Sequence, residues 1–136
     1  MPYAIKTAIS DPSADTFTFT AQKTMYGGKR IAAGDTLFMF ASENEGGHGL
    51  LARSTVIYAE PVERLSGIAR ETPRVSVTVR RDAPARKPLG RKELKGYSDW
   101  SDSRPETELN FKFYRQATDK IVGLSDEAAA FLAGFF

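Results

Sequence analysis

The stretch Arg74-Val75-Ser76-Val77-Thr78-Val79-Arg80 decides the fold class. Three valines alternate with two small hydroxyl residues. A period of two puts Val75, Val77 and Val79 on one face of an extended chain and Ser76 and Thr78 on the other. Outward from it, Thr16-Phe17-Thr18-Phe19-Thr20 shows the same alternation with aromatic and β-branched residues, a half-buried strand. Gly27-Gly28 breaks that pattern. Ala33-Gly34-Asp35 reads as a turn into Thr36-Leu37-Phe38-Met39-Phe40, whose nearly continuous apolar run marks a buried strand. The polar, Gly-rich residues 42–49 follow as a loop, and residues 50–59 form a strand that pairs back as a hairpin.

Pro61 and Pro73 bracket a less regular connection, and residues 82–88, with two prolines, read as a loop. A short helix is expected within residues 90–97 and an irregular polar segment over residues 99–107. Residues 109–114 carry a strand pattern, and residues 120–124 another. Ser125 is a good N-cap, with Asp126 and Glu127 in the first turn where the helix dipole favours acids. The helix that follows ends in Phe131-Leu132 and Phe135-Phe136, which should dock on the barrel rather than stay in water. Five or six strands against one clear helix, in 136 residues, predict a single α+β domain over residues 1–136 built on a β-barrel.

Composition narrows the chemistry. With 41% apolar and 26% charged residues the chain is of the globular class. It has no cysteine, which removes disulfides, thiolate metal sites and cysteine nucleophiles together. No apolar run approaches the roughly 20 residues that span a bilayer, and the first residues lack a secretory pattern, so no membrane role and a cytoplasmic location are expected. His48 is the only histidine; it lies in the Gly-rich loop with no nucleophile elbow nearby, and a tight zinc site is not expected. Gly46-Gly47-His48-Gly49 lacks the Lys-Ser/Thr of a phosphate loop, and turn geometry explains its glycines. Neither a catalytic residue nor a cofactor is indicated, so the chain reads as a binding module rather than an enzyme.

The net charge is only +2, but its distribution is uneven. Residues 64–95 hold ten basic side chains, including Arg64, Arg70, Arg74 and Lys95, against three acids: Glu71, Asp82 and Glu93. Such a local electropositive face suits a polyanion. Arg80, Arg81, Arg86, Lys87, Arg91 and Lys92 are the candidates for a nucleic-acid backbone. Tyr26, Tyr97, Trp100 and Tyr114 stand at polar edges, where aromatic faces can stack an unpaired base at about 1–3 kcal/mol each.

The order of these pieces resembles the EVE domain, a branch of the PUA-like superfamily. Gly34-Asp35 and Leu37-Phe38-Met39-Phe40-Ala41-Ser42 are similar to the family's Gly-Asp turn, aromatic strand and His-Ser-Asn-like end, with Ala41 where the family has His. Gly49-Leu50-Leu51-Ala52-Arg53 looks like its Gly-Ile-Val-Gly strand. Residues 74–79 and then Pro88-Leu89-Gly90-Arg91-Lys92-Glu93-Leu94-Lys95 resemble its central strand and its Pro-Val-Ser-Leu-x-Glu-Leu-Lys segment. Phe113-Tyr114-Arg115-Gln116, leading to Ile121-Val122-Gly123-Leu124-Ser125, resembles its ending. The family's early Trp and its Val-Arg-Asn-Tyr-Gln-Ala-Arg stretch are not recognisable; Lys23-Thr24-Met25-Tyr26-Gly27-Gly28 stands there instead.

The resemblance implies a PUA-like mixed β-barrel with short flanking helices that recognises a nucleobase, a modified one included, in RNA or DNA. The pocket it implies is at the barrel mouth, between the strand end Phe40-Ala41-Ser42 and Tyr114-Arg115, with Tyr26 and Trp100 as further candidates. Arg115 would contact a phosphate or a base edge, or pair with Glu106 or Glu108. Two alternatives stay open. The related ASCH domains include hydrolases acting on RNA or modified nucleosides, and Lys23, Thr24 and Glu43 could imitate their Lys, hydroxyl and acid set. The apolar residues 131–136 could instead be a protein-interaction face, making the chain a weak homodimer rather than a monomer.

Overall fold

A computed structural model of the chain describes residues 2–63, 73–99, 101–116 and 119–136, with residues 115 and 116 described by their backbone alone. Six strands carry the fold: β1 (Tyr3–Thr7), β2 (Thr16–Met25), β3 (Thr36–Ala41), β4 (Gly49–Val62), β5 (Arg74–Pro84) and β6 (Lys120–Gly123). They close into a barrel in the order β1-β3-β4-β5-β2-β6. β1 runs parallel to β3 and β2 parallel to β6; the remaining pairs are antiparallel. Among the described residues, three short α-helices accompany the barrel: α1 (Arg91–Leu94), α2 (Pro105–Asn110) and α3 (Asp126–Ala133). The architecture is the expected mixed α+β barrel.

Two apolar clusters share the strands between them. The barrel interior holds Tyr3, Ile5, Leu37, Met39, Val75, Val77, Val79 and Ile121. A second cluster lies outside the barrel wall, where Ala4, Phe38, Phe40 and Val122 meet Leu94, Leu109, Phe113 and Leu132 from the helical segments. β3 is apolar at nearly every position because both of its faces are covered, whereas β5 alternates because its outer face is open. The C-terminal aromatics join the second cluster: Phe136 packs on Phe38 with ring centroids 5.9 Å apart.

Four expectations need correction. β1, which no sequence pattern marks as a strand, lies between β3 and β6. Residues 82–84 are not loop: β5 continues to Pro84, opposite Ala52 on β4. The irregular segment gives way to a helix at Pro105, a residue whose fixed φ suits the first helical position. Residues 109–114 are not a strand either. They finish α2 and continue into a π-helical turn, Phe111–Gln116. Leu109 and Phe113, one helical turn apart, are both fully buried. Asp102, accepting from the Arg104 N–H and the Thr107 hydroxyl, anchors the start of this helix.

Candidate nucleic-acid interface

The site forms where β1 and β3 end together. Thr7 lies opposite Ala41, and the Ser42 N–H donates to the Thr7 carbonyl. The chain then makes a tight turn, Glu43–Glu45, and returns through the Gly-rich loop to β4. Downstream of β5, residues 85–90 track back along the start of β4: Ala85 donates to the Leu51 carbonyl, and Leu50 donates to that of Leu89. This brings α1 beside the Gly-rich loop. Gly49 sits at φ 86° with its Cα against Leu89 and Gly90, where a Cβ would come 2.3 Å from the Leu89 carbonyl oxygen.

Between the two segments lies an open cleft of about 530 Å³, lined by Glu43, Gly47, His48, Pro88, Gly90, Arg91, Lys92, Glu93 and Lys95. Its size falls among small-ligand sites, roughly 300–1,000 Å³. A more enclosed cavity of about 280 Å³ adjoins it through Gly47 and His48, and is bounded by Ile9, Pro12, Ala41 and Ser42.

A polar cluster from four separate segments backs the cleft. The Glu43 carboxylate accepts the Arg91 backbone N–H at 2.6 Å and the Tyr114 hydroxyl at 2.8 Å. The Lys6 ammonium, on a side chain only 1% exposed, stands 4.2 Å from the centroid of the Tyr114 ring. The Arg91 guanidinium lies 5.6 Å from the same centroid and donates to Asn44. Both cation distances are within the range of attraction by an aromatic face. Burial pushes the Lys6 amine below its ordinary value; Glu43 and Asp119 oppose that, and Arg91 reinforces it. Burial pushes the Glu43 carboxyl up, but the Arg91 N–H, the Tyr114 hydroxyl and the Lys6 charge outweigh it and hold it below its ordinary range. The Tyr114 hydroxyl is pushed strongly up by burial and then by the Glu43 hydrogen bond and charge.

The structure brings Ser42 and Tyr114 to this end, both joined to Glu43, one by sequence and one by hydrogen bond. Phe40 is fully buried and packs on Phe113 with centroids 4.8 Å apart, so it supports the site from behind and offers no stacking face. Tyr26 lies at the other end of β1: it follows Met25, opposite Val122, while Gly123 pairs with Tyr3. The length of β1 separates it from Ser42 by roughly 13 Å. Tyr26 instead receives the Lys112 ammonium over its ring at 4.7 Å. That end has its own cavity of about 510 Å³, beside a network in which Glu108 accepts from Lys112 and from the Ser125 N–H and hydroxyl, fixing the start of α3. Trp100 and the Arg115 side chain lie outside the described residues. Among the described residues, neither strand-end cavity has a Phe, Tyr or Trp ring in its lining. The planar faces available there are the His48 imidazole and the Arg91 guanidinium.

The backbone candidates divide as well. Arg91 and Lys92 line the cleft. Arg86 and Lys87 are exposed on the segment leading to it. Arg80 is exposed and 3.5 Å from Asp82. Arg81 is tied down, donating to the carbonyls of Pro12 and Ser13. Of the hydrolase set, Lys23 is exposed, the Thr24 hydroxyl donates to the Pro73 carbonyl, and Glu43 is bound to Arg91 and Tyr114. The apolar C-terminus packs on its own barrel, with Leu132 buried and Phe131, Phe135 and Phe136 half-buried.

Lys6, Lys95 and His48 join the candidate site only in the tertiary structure. Lys6 stands alone in an apolar run, Tyr-Ala-Ile-Lys-Thr, and a charge inside a buried strand was the available signal.

No family model and no curated protein sequence matches the chain. Solved structures do. The DUF55 domain of human thymocyte nuclear protein 1 superposes with a TM-score of 0.66 at 15% identity, over 98% of this chain and 97% of that one. The human protein in complex with 5-methylcytosine containing DNA gives 0.64 at 15% identity, over 97% and 95%. A Pseudomonas putida protein gives 0.64 at 13% identity, over 99% of both chains. With the closed six-strand mixed barrel and its short helices matched over nearly the whole length, the chain has the PUA-like fold of the EVE, or DUF55, domain.

Proposed function

We propose that this domain binds nucleic acid and receives an unpaired base, a modified one included, in the cleft between the Gly-rich loop and α1. One observation carries the reading: the cleft presents Arg91, Lys92 and Lys95 around a floor that holds a tethered carboxylate, so it offers charge for phosphates and a polar atom for a base edge together. Arg86, Lys87 and Arg80 extend the positive charge away from the cleft along the β5 side. Base recognition outside a duplex uses planar faces, and His48 and Arg91 supply them. The fold likeness to a human protein captured with 5-methylcytosine containing DNA supports the reading.

The test is titration of short single-stranded RNA and DNA at low and high salt. Counterion release predicts that log K falls linearly with log salt, by about 0.7 per phosphate neutralised on a single strand. The double variant Arg91→Ala, Lys92→Ala should flatten that slope by roughly 1.4 and weaken binding, with the melting temperature nearly unchanged. Undetectable binding at low salt, or binding indifferent to salt, would overturn the proposal.

A further inference from the structure

The seating of Glu43 says more about the ligand than the charge of the cleft does. Its carboxylate is fixed by the Arg91 N–H at 2.6 Å and the Tyr114 hydroxyl at 2.8 Å, and both of these bonds fall on Oε2. The same hydroxyl is 3.1 Å from Oε1. It carries one hydrogen, and the shorter contact takes it; the Glu43 N–H also bonds the carboxylate, yet Oε1, with two lone pairs, keeps acceptor capacity, and Glu43 lines the cleft. Gly90 is what lets the carboxylate sit there: a Cβ at that position would come 2.7 Å from Oε2. Lys6 and Tyr114 hold the assembly from beneath, the Lys6 ammonium 4.2 Å from the ring centroid.

A carboxylate pinned in this way costs little to organise when a ligand arrives, and an ionised carboxylate only accepts hydrogen bonds. We infer that Glu43 reads the base, selecting one whose edge presents an amino group and rejecting its oxo counterpart of the same size. The inference rests on the nucleic-acid reading above and specifies its ligand. Cytosine and uracil show the difference most simply. The exocyclic amine of cytosine donates to Oε1, whereas uracil places a carbonyl oxygen there, and two acceptors meet without a proton between them. The Glu43 carboxyl is held below its ordinary range, so it stays an acceptor in mildly acidic solution.

The experiment compares one oligonucleotide with a central cytosine, 5-methylcytosine, uracil, thymine or N4,N4-dimethylcytosine. A good amine-to-carboxylate contact predicts that each amino base binds at least about 5-fold more tightly than its oxo counterpart. The dimethylated base, which has lost both donors, should fall to the uracil level with the protein unchanged. In Glu43→Gln the amino-to-oxo ratio should collapse to within about 2-fold, because an amide can turn either its donor or its acceptor to the ligand. Equal affinity of the wild-type protein for cytosine and uracil, or full binding of the dimethylated base, would overturn the inference while leaving salt-dependent binding intact. Absence of binding to every oligonucleotide at low salt would remove both it and the reading on which it rests.

Discussion

β5 and β3 are both strands of one barrel, yet they present opposite patterns. Along β5, Val75, Val77 and Val79 fill the barrel while Ser76 and Thr78 stay half-exposed outside. Along β3, Leu37 and Met39 fill the barrel, and Phe38 and Phe40 are buried as well, under the helical layer. Alternation thus reports what covers a strand, not whether it is one. The covered wall is also where a polar group needs partners. Lys6 pairs in register with Phe40 and is nearly inaccessible, and it survives there beside Tyr114 and Glu43 at the edge of the cleft.

The contrast is easiest to break in the helical layer. Phe113→Ala removes a fully buried ring that packs on Phe40, and should cost about 3–5 kcal/mol in urea denaturation. Thr78→Ala, on the open face of β5, should cost at most about 1 kcal/mol. Equal losses would mean that the helices add no more stability than solvent does.

Tyr114→Phe comes next. It deletes the hydroxyl bond to the half-exposed Glu43 carboxylate and should cost about 1.5 kcal/mol at neutral pH. Glu43 titrates lower in the folded protein than in the unfolded chain, so its contribution is complete above the ordinary carboxyl value of 4.5 and is lost as pH falls through the depressed one. The gap between wild type and variant should therefore narrow from pH 7 to pH 3, read from denaturation midpoints.

Lys6→Met sharpens the comparison at the alkaline end. Burial lowers the Lys6 amine, so between its folded value and the ordinary 10.5 the unfolded chain binds more protons and stability rises with pH. The variant should lack that rise in a pH series of unfolding free energies. An identical slope in both proteins would place the Lys6 ammonium in water.

The smallest structural effect belongs to Arg80→Ala on the open wall. Its stability should stay within about 0.5 kcal/mol of wild type. If Arg80 touches a phosphate, the salt slope of single-strand binding should still fall by about 0.7.

The clearest elements in the sequence were those whose signals are local. The valine alternation of β5, the Gly34 turn into β3 and the Ser125 cap of α3 each depend on residues a few positions apart, and each stands where it was expected. The failures have separate causes. Residues 109–114 alternate in polarity, but Leu109 and Phe113 meet the barrel from a helix, and the Pro105 start with Glu106 and Glu108 after it was the overlooked signal. β1 is short and buried on both faces, so it has no alternation to read.

By itself the sequence determined a barrel with a terminal helix, a basic middle and a polar loop at the end of an aromatic strand, because period, turn chemistry and charge are properties of neighbouring residues. Only the tertiary structure decided which of these meet. It drew Lys6, Glu43, Arg91 and Tyr114 together from four segments, sent Phe40 into the core, and placed Tyr26 at the opposite end of β1. The physical reason is that barrel closure sets strand neighbours by register and by the covering of both walls, and those long-range pairings leave little trace in any window of the chain.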